Sequence, residues 1–93
     1  MTRDAAIGTA LSYFDDGGFV RDLARRVAIR SESQNPDAGS EINRYLSDEI
    51  VPTLSQLGFN CQIMDNPLSG AWPMLLAERI EGANLPTILS YGH

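Results

Sequence analysis

The feature that most constrains the fold is a change in the spacing of apolar residues at Gly58. Before this residue, apolar side chains recur every three or four positions, which is the spacing of one helix face. After it, Phe59, Cys61 and Ile63 occupy every second position, which is typical of a strand with one buried face. The change predicts a helical first part over residues 1–57 and a strand-rich second part.

Three helices are predicted in the first part, over residues 4–14, 19–29 and 41–57. The second is amphipathic, and we expect its apolar stripe to face a core while its charged side chains face away. The apolar stripe consists of Phe19, Val20, Leu23, Ala24 and Val27. The charged side chains are Arg21, Asp22, Arg25 and Arg26.

Local signals mark the third helix. Ser40 offers a hydroxyl for an N-cap, and Gly58 suits a left-handed C-terminal cap. Pro52 lies inside the helix, where its ring removes an amide donor and crowds the preceding turn, so we predict a kink there.

Three strands are predicted after Gly58, over residues 59–64, 74–80 and 86–91. The third is almost continuously apolar, as expected for a strand that is covered on both faces. The order of elements predicts an α/β fold with N-terminal helices followed by a β-hairpin and a further strand. A covered strand as the last element also leads us to expect that the natural chain continues.

Composition excludes several classes of protein. The net charge is −5, and the seven basic residues are all arginine and mostly scattered, so we expect no nucleic-acid partner. Cys61 is the only cysteine, which excludes an intrachain disulfide and favours a small packing residue. Neither a signal-peptide core nor an apolar run of about 20 residues is present, so we expect a cytoplasmic protein with no membrane partner.

The candidate for site chemistry is His93, which follows a predicted strand and a glycine. Ligands of open α/β sheets bind at the carboxyl ends of strands, and imidazole is the commonest metal ligand. The alternative is an ordinary terminal residue without a role. The acidic pairs at residues 15–16 and 48–49 are expected to be helix caps or solvated side chains, and Trp72 is expected to dock its loop onto the core. No catalytic or cofactor-binding residue is predicted besides this metal ligand.

Four phrases in order resemble the zinc co-catalytic metallopeptidase family, which includes acetylornithine deacetylase, succinyl-diaminopimelate desuccinylase, aminoacylase and glutamate carboxypeptidase. They are VAIRSES at residues 27–33, LGF at 57–59, LAERI at 76–80 and TILSYGH at 87–93. Many members of the family have proline where this chain has Arg30. Each phrase is weak alone, but their order and spacing span roughly residues 19–93.

The resemblance implies that residues 1–93 are the N-terminal portion of a mixed-sheet zinc-exopeptidase catalytic domain, without the lid or dimerisation domain. His93 would begin a His-x-Asp motif and bind one of two zinc ions. The parent would hydrolyse an amide or peptide bond of a small peptide or an N-acyl amino acid, as an exopeptidase, dipeptidase or deacylase. By itself the chain is expected to be inactive, to hold no zinc stably and to self-associate through strand 87–91. The alternative is a small standalone α/β protein-interaction module with no catalytic role.

Overall fold

A computed structural model describes residues 1–92 and has helices followed by an antiparallel β-hairpin. The helical elements are α1 Arg3–Asp15, α2 Gly18–Val27, α3 Gly39–Arg44, a π-helical segment Tyr45–Ile50 and α4 Val51–Gln56. The strands are β1 Asn60–Met64 and β2 Met74–Glu78. The predicted mixture of helices and strands is therefore confirmed, and so is the change of structure at residue 58.

Helices α1 and α2 form a helical hairpin around a two-residue break. The hydroxyl of Thr2 caps α1 by accepting a hydrogen bond from the Ala5 amide at 3.1 Å. At the break, Gly17 adopts φ 86°, a left-handed conformation that side chains disfavour. The Asp16 carboxylate accepts a hydrogen bond from the Gly18 amide at 2.9 Å and so starts α2. The break lies where the sequence predicts it.

Residues 39–56 form one continuous helical stretch whose middle departs from α geometry. Pro52 lacks the amide that would donate to the carbonyl four residues earlier, and Val51 donates to the Leu46 carbonyl five residues back. The predicted disruption at Pro52 therefore takes the form of a π-helical segment. The prediction of Ser40 as N-cap is wrong, because the helix begins two residues earlier than predicted, at Gly39, with Ala38 as the cap residue and no side-chain capping bond.

The hairpin follows a well-defined helix end. Gly58 has φ 85°, its amide donates to the Ser55 carbonyl, and the Phe59 amide donates to the Leu54 carbonyl. These two bonds make a Schellman motif, which satisfies carbonyls that the end of a helix leaves unpaired. Strand β1 then pairs with β2 in a register that runs from Asn60 opposite Glu78 to Met64 opposite Met74.

The predicted third strand, residues 86–91, is wrong. No residue from 86 to 92 belongs to a strand, and Ile88 and Leu89 are 91% and 93% exposed. A strand is stabilised by hydrogen bonds to a neighbouring strand. Within residues 1–92, the sheet consists of β1 and β2 alone, so residues 86–91 are not part of it.

The buried apolar core is small. Its members among the described residues are Ile29, Ala38 and Ile42, and no large side chain there is fully buried. The accessible surface is 7859 Å², whereas a folded monomer of this mass exposes about 5,300 Å². The radius of gyration is 15.9 Å, against about 12 Å for a compact chain of this length. The fold therefore leaves an unusually large surface uncovered.

We predict that Gly58→Ala lowers the free energy of unfolding by roughly 1–2 kcal/mol, the cost of a left-handed backbone for a residue with a Cβ. The added methyl would meet only ordinary contacts with Arg79, at 3.7–3.9 Å, so the loss would come from the backbone. Urea unfolding followed by circular dichroism measures it. Gly58→Asn is the control, because asparagine tolerates this conformation and should lose less. Equal losses for both variants would contradict the backbone explanation.

Candidate functional site

The predicted metal ligand, His93, lies outside the described residues. The chain approaches it through a turn in which the Leu85 amide donates to the Gly82 carbonyl at 3.3 Å, followed by residues 86–92 without regular structure. A ligand at a strand end requires a strand over residues 86–91, and that strand is not formed. His93 as a metal ligand stays a prediction from the sequence.

The described part of the chain brings no other metal ligands together. From residue 1 to residue 92, no three side chains of histidine, cysteine, aspartate or glutamate are grouped so that they could hold a metal ion. The two acidic pairs have different environments. Asp16 caps α2, as expected, and Asp48 is exposed. Glu49, however, is only 6% exposed, so the prediction of a cap or solvated side chain is wrong for this residue.

Glu49 holds α2 against the π-helical segment. One of its carboxylate oxygens accepts a hydrogen bond from the Nε of Arg25 at 2.8 Å, and the other lies 3.0 Å from the same nitrogen. The Nε of Arg26 lies 3.3 Å from the carboxylate at an angle too poor for a hydrogen bond, so it contributes charge attraction. The Thr53 hydroxyl donates to the Glu49 carbonyl at 2.8 Å and lies 3.4 Å from Arg26 Nη2. A buried charge is tolerated only when it is paired in this way.

The network extends to α1 through Asp22. Its carboxylate accepts hydrogen bonds from the Tyr13 hydroxyl and from Arg25 Nη1, the latter at 3.0 Å. The bond to Asp22 raises the pKa of Tyr13, because an ionised phenol could not donate it. The same bond, with help from Arg25, lowers the pKa of Asp22, and Glu49 raises the pKa of Arg25. We call Tyr13, Asp22, Arg25, Arg26 and Glu49 the arginine–carboxylate network.

The arginine–carboxylate network has the chemistry of a structural clamp. Its two arginines are balanced by two carboxylates, so no net charge is left to attract an ion. An open groove of about 450 Å³ runs beside it and is lined further by Asp48, Pro52 and Gln56. The signal that could have revealed Glu49 is its position seven residues after the buried Ile42, which places both on one face of the helical stretch.

A second groove, of about 410 Å³, crosses the hairpin. It is lined by Asn60, Cys61, Gln62, Leu76 and Glu78. The half-buried Cys61 sulfur lies 3.9 Å from the Ser55 hydroxyl and 4.0 Å from the Val51 carbonyl. A reactive thiol is activated by a nearby cation, whereas these neighbours are a hydroxyl and a carbonyl. These contacts agree with the predicted packing role of Cys61, whose side chain lies between β1 and α4.

Trp72 docks the loop between the strands, as the sequence predicts. Its indole Nε1 donates to the Ser33 carbonyl at 2.6 Å, and its ring leaves little room for a side chain at Gly39, where a Cβ would meet it at 3.2 Å. The side-chain amide of Asn66 donates to the Trp72 backbone carbonyl at 3.1 Å and closes the loop on itself. The loop is therefore held against the segment that leads into α3.

The orientation of α2 is the reverse of the predicted one. Its charged residues Asp22 and Arg26 are half-buried and point toward α1 and the π-helical segment, where Arg26 approaches Glu49. Its apolar residues Leu23 and Val27 are exposed, Val27 by 70%. Pairing with the buried Glu49 carboxylate holds Arg26 half-buried and Arg25 beside it, and the apolar stripe is left on the surface.

Comparison with known proteins assigns no family to this chain. No protein-family profile, no curated protein and no solved structure matches it. The helices in residues 1–92 are all too short or too polar to traverse a lipid bilayer. Its function is therefore argued from its own residues.

We predict that the Tyr13–Asp22 bond is lost at both ends of the pH scale. Folding lowers the pKa of Asp22. The stability that ionised Asp22 contributes is therefore present above its ordinary pKa of 3.8 and disappears as the pH falls through the lowered pKa. Folding raises the pKa of Tyr13. The stability that its protonated hydroxyl contributes is therefore present below the ordinary pKa of 10.0 and disappears as the pH rises through the raised pKa. NMR titration of ring-labelled tyrosine should give Tyr13 a midpoint above 10.0.

In Asp22→Asn, the titration midpoint of Tyr13 should fall toward 10.0, because the acceptor charge is gone. Asp37→Asn is the control, since this exposed carboxylate lies in the loop before α3. A Tyr13 midpoint that is the same in all three proteins would contradict the bond.

Proposed function

We propose that this chain is the first part of a zinc-dependent amidohydrolase or exopeptidase, in which His93 supplies one ligand of a two-zinc site. The observation that carries the proposal is the order of the four phrases along the chain. VAIRSES begins at the last residue of α2, LGF joins α4 to β1 and LAERI overlaps β2. TILSYGH then leads to the histidine.

Zinc chemistry explains why residues elsewhere must complete such a site. A catalytic zinc takes about three protein ligands and keeps one position open. Two zinc ions that share a water lower its pKa and polarise the carbonyl under attack. The resemblance assigns the bridging aspartate, further acidic ligands and the general base to segments after His93. Residues 1–92 would serve as scaffold, and residues 87–91 would form a strand once neighbouring strands are present.

The substrate we propose is a small peptide or an N-acyl amino acid, cleaved next to a free carboxylate in the cytoplasm. The first test is to read the codons that follow His93 in the source gene. An aspartate two positions later is expected, since it would complete the His-x-Asp motif. A stop codon directly after His93 would remove the basis for the proposal.

The second test uses the protein translated from the complete reading frame. His93→Ala should reduce bound zinc and lower hydrolysis of N-acetyl amino acids and dipeptides by about 100-fold or more, since even loss of a residue that only supports a ligand costs about 10–100-fold. Glu81→Gln, in an exposed turn, is the matched control and should change neither quantity. Full activity in the alanine variant would contradict the role of His93.

We also predict that the 93-residue chain does not retain zinc at one ion per chain after dialysis. A single imidazole gives far less binding energy than the three or four ligands of a stable site. Elemental analysis of the dialysed protein by mass spectrometry measures the zinc content. Tightly held zinc at one per chain in a monomeric sample would show that residues 1–93 contain a site of their own.

The second candidate is a protein-interaction module, and one observation favours it. The apolar stripe of α2 faces outward, although apolar side chains are normally covered by a core or a partner. A stop codon after His93, together with binding and no hydrolysis, would select this candidate over the hydrolase.

A further inference from the structure

The exposed stripe of α2 continues onto α1. Ile7, Leu11 and Phe14 are spaced four and three residues apart, so they share one face of α1. All three are exposed, and the Phe14 ring lies 5.9 Å from the ring of Phe19 at the start of α2. The two stripes therefore meet at the tip of the helical hairpin. The helical apolar face consists of Ile7, Leu11, Phe14, Phe19, Leu23 and Val27.

The uncovered area is of the size that a stable dimer buries. The accessible surface of 7859 Å² exceeds the expectation for a compact monomer by about 2,500 Å². Obligate homodimers bury roughly 2,000–5,000 Å² in total, so half of that from each chain falls within the excess. This excess belongs to the chain as a whole, and the exposed residues 86–91 contribute to it together with the helical apolar face. Scattered exposed apolar residues need no explanation, but an apolar stripe that spans two helices does.

Charge decides which kind of partner fits. Residues 1–27 contain four arginines and four aspartates, so this part of the chain is formally neutral, and the net charge of −5 belongs to the rest. Two copies can therefore bring their helical apolar faces together without net repulsion between the surfaces that approach. A strongly basic or acidic partner would gain nothing from this face.

We propose that the helical apolar face is the interface of a homodimer, in which a second copy of this chain docks α1 and α2 against its own α1 and α2. The contact is isologous, so the same apolar face of each chain contacts its copy on the other chain. Two helical hairpins that pack face to face give a four-helix arrangement with an apolar interior. The arginine–carboxylate network supports the dimer indirectly, because it holds α2 with its apolar stripe outward.

Sedimentation velocity over a range of concentrations tests the proposal on the 93-residue chain. We expect a species of twice the 10.2 kDa chain mass at micromolar concentration. Leu23→Glu and Leu11→Glu should each weaken dimerisation by about 100-fold or more, since each buries a charge in an apolar contact. Leu68→Glu is the matched control, because Leu68 is 71% exposed in the loop between the strands and should leave the dimer intact.

The variants remain informative because the substituted leucines are exposed within one chain, and circular dichroism should show unchanged helix content. A wild-type monomer at all concentrations would overturn the proposal. So would a dimer that Ile88→Glu dissociates and Leu23→Glu does not, since residues 87–91 would then be the contact. The dimer is tested by sedimentation of the 93-residue chain, whereas the hydrolase assignment is tested by zinc content, hydrolysis and the codons after His93, so failure of one can be told from failure of the other.

Discussion

Glu49→Gln is expected to lower the free energy of unfolding by about 2–3 kcal/mol. Removing one partner of a buried ion pair costs roughly 3–5 kcal/mol, because the remaining charge is left uncompensated. The cost should be smaller here, since the side chains of Arg25 and Arg26 are 54% and 29% exposed and can recover part of their hydration. The amide of glutamine would keep the volume of the side chain but remove its charge.

The adjacent carboxylate provides a matched control. Asp48 lies in the same π-helical segment and is exposed. Its carboxylate accepts a hydrogen bond from the hydroxyl of the neighbouring Ser47. Asp48→Asn should change stability by no more than about 0.5 kcal/mol, as surface substitutions usually do. Urea unfolding of both variants under one buffer condition gives the comparison. A loss for Glu49→Gln no larger than that for Asp48→Asn would show that the clamp does not hold α2.

A further variant separates two effects: the cost of leaving the arginines without a carboxylate, and the contribution of the whole ion cluster to stability. Replacing Arg25, Arg26 and Glu49 together by apolar residues of similar volume removes the buried carboxylate with both of its arginines. Asp22 loses its arginine partner but keeps the hydrogen bond from the Tyr13 hydroxyl. Such replacements of buried ion groups are often neutral or stabilising. We expect the triple variant to be more stable than Glu49→Gln. A lower stability for the triple variant would mean that the hydrogen bonds themselves contribute most.

Gly18→Ala is expected to destabilise the chain by roughly 1–3 kcal/mol, the usual cost of overpacking. A Cβ at this buried position would lie 2.6 Å and 2.7 Å from ring carbons of Tyr13 and 3.0 Å from its carbonyl oxygen. These distances are too short for any carbon contact, so the ring must move. Its movement would break the hydrogen bond from the Tyr13 hydroxyl to Asp22 and separate α1 from α2.

Gly8→Ala is the matched substitution and should have the opposite sign. Gly8 lies in the interior of α1, and an added Cβ would meet nothing within 4 Å. Alanine there should stabilise the chain by about 0.5–1 kcal/mol, because glycine has more backbone freedom to lose on folding. Thermal unfolding of the two variants measures both effects. Destabilisation by both substitutions would mean that α1 is not a simple exposed helix.

Local signals predicted the secondary structure well up to residue 80. The break before α2, the cap at Gly58 and the strands β1 and β2 all lie within a few residues of their predicted positions. Each depends on neighbours in sequence. A capping glycine bonds to carbonyls only a few residues before it, and a strand is recognised by the alternation of its own side chains. The disruption at Pro52 was also foreseen, although its π-helical form was not.

Three features could not be predicted in this way. Glu49 looks like any other acidic residue of a helix until the two arginines of α2 are seen to pair with it. The segment over residues 86–91 has the composition of a covered strand, but no neighbouring strand lies beside it in the described chain. The prediction that His93 binds zinc stays a prediction, because it depends on groups beyond the described residues.

Taken by itself, the sequence determined to within a few residues where the helices and the two strands before residue 80 begin and end, because backbone preferences and caps act over a few residues. Only the tertiary structure decided that α2 turns Asp22 and Arg26 toward its neighbours and leaves its apolar stripe exposed. The physical reason is that burial and charge pairing depend on partners distant in sequence, 24 residues apart for Arg25 and Glu49. That long-range ion pair fixes the side of α2 that contributes to the helical apolar face, on which the proposed dimer rests.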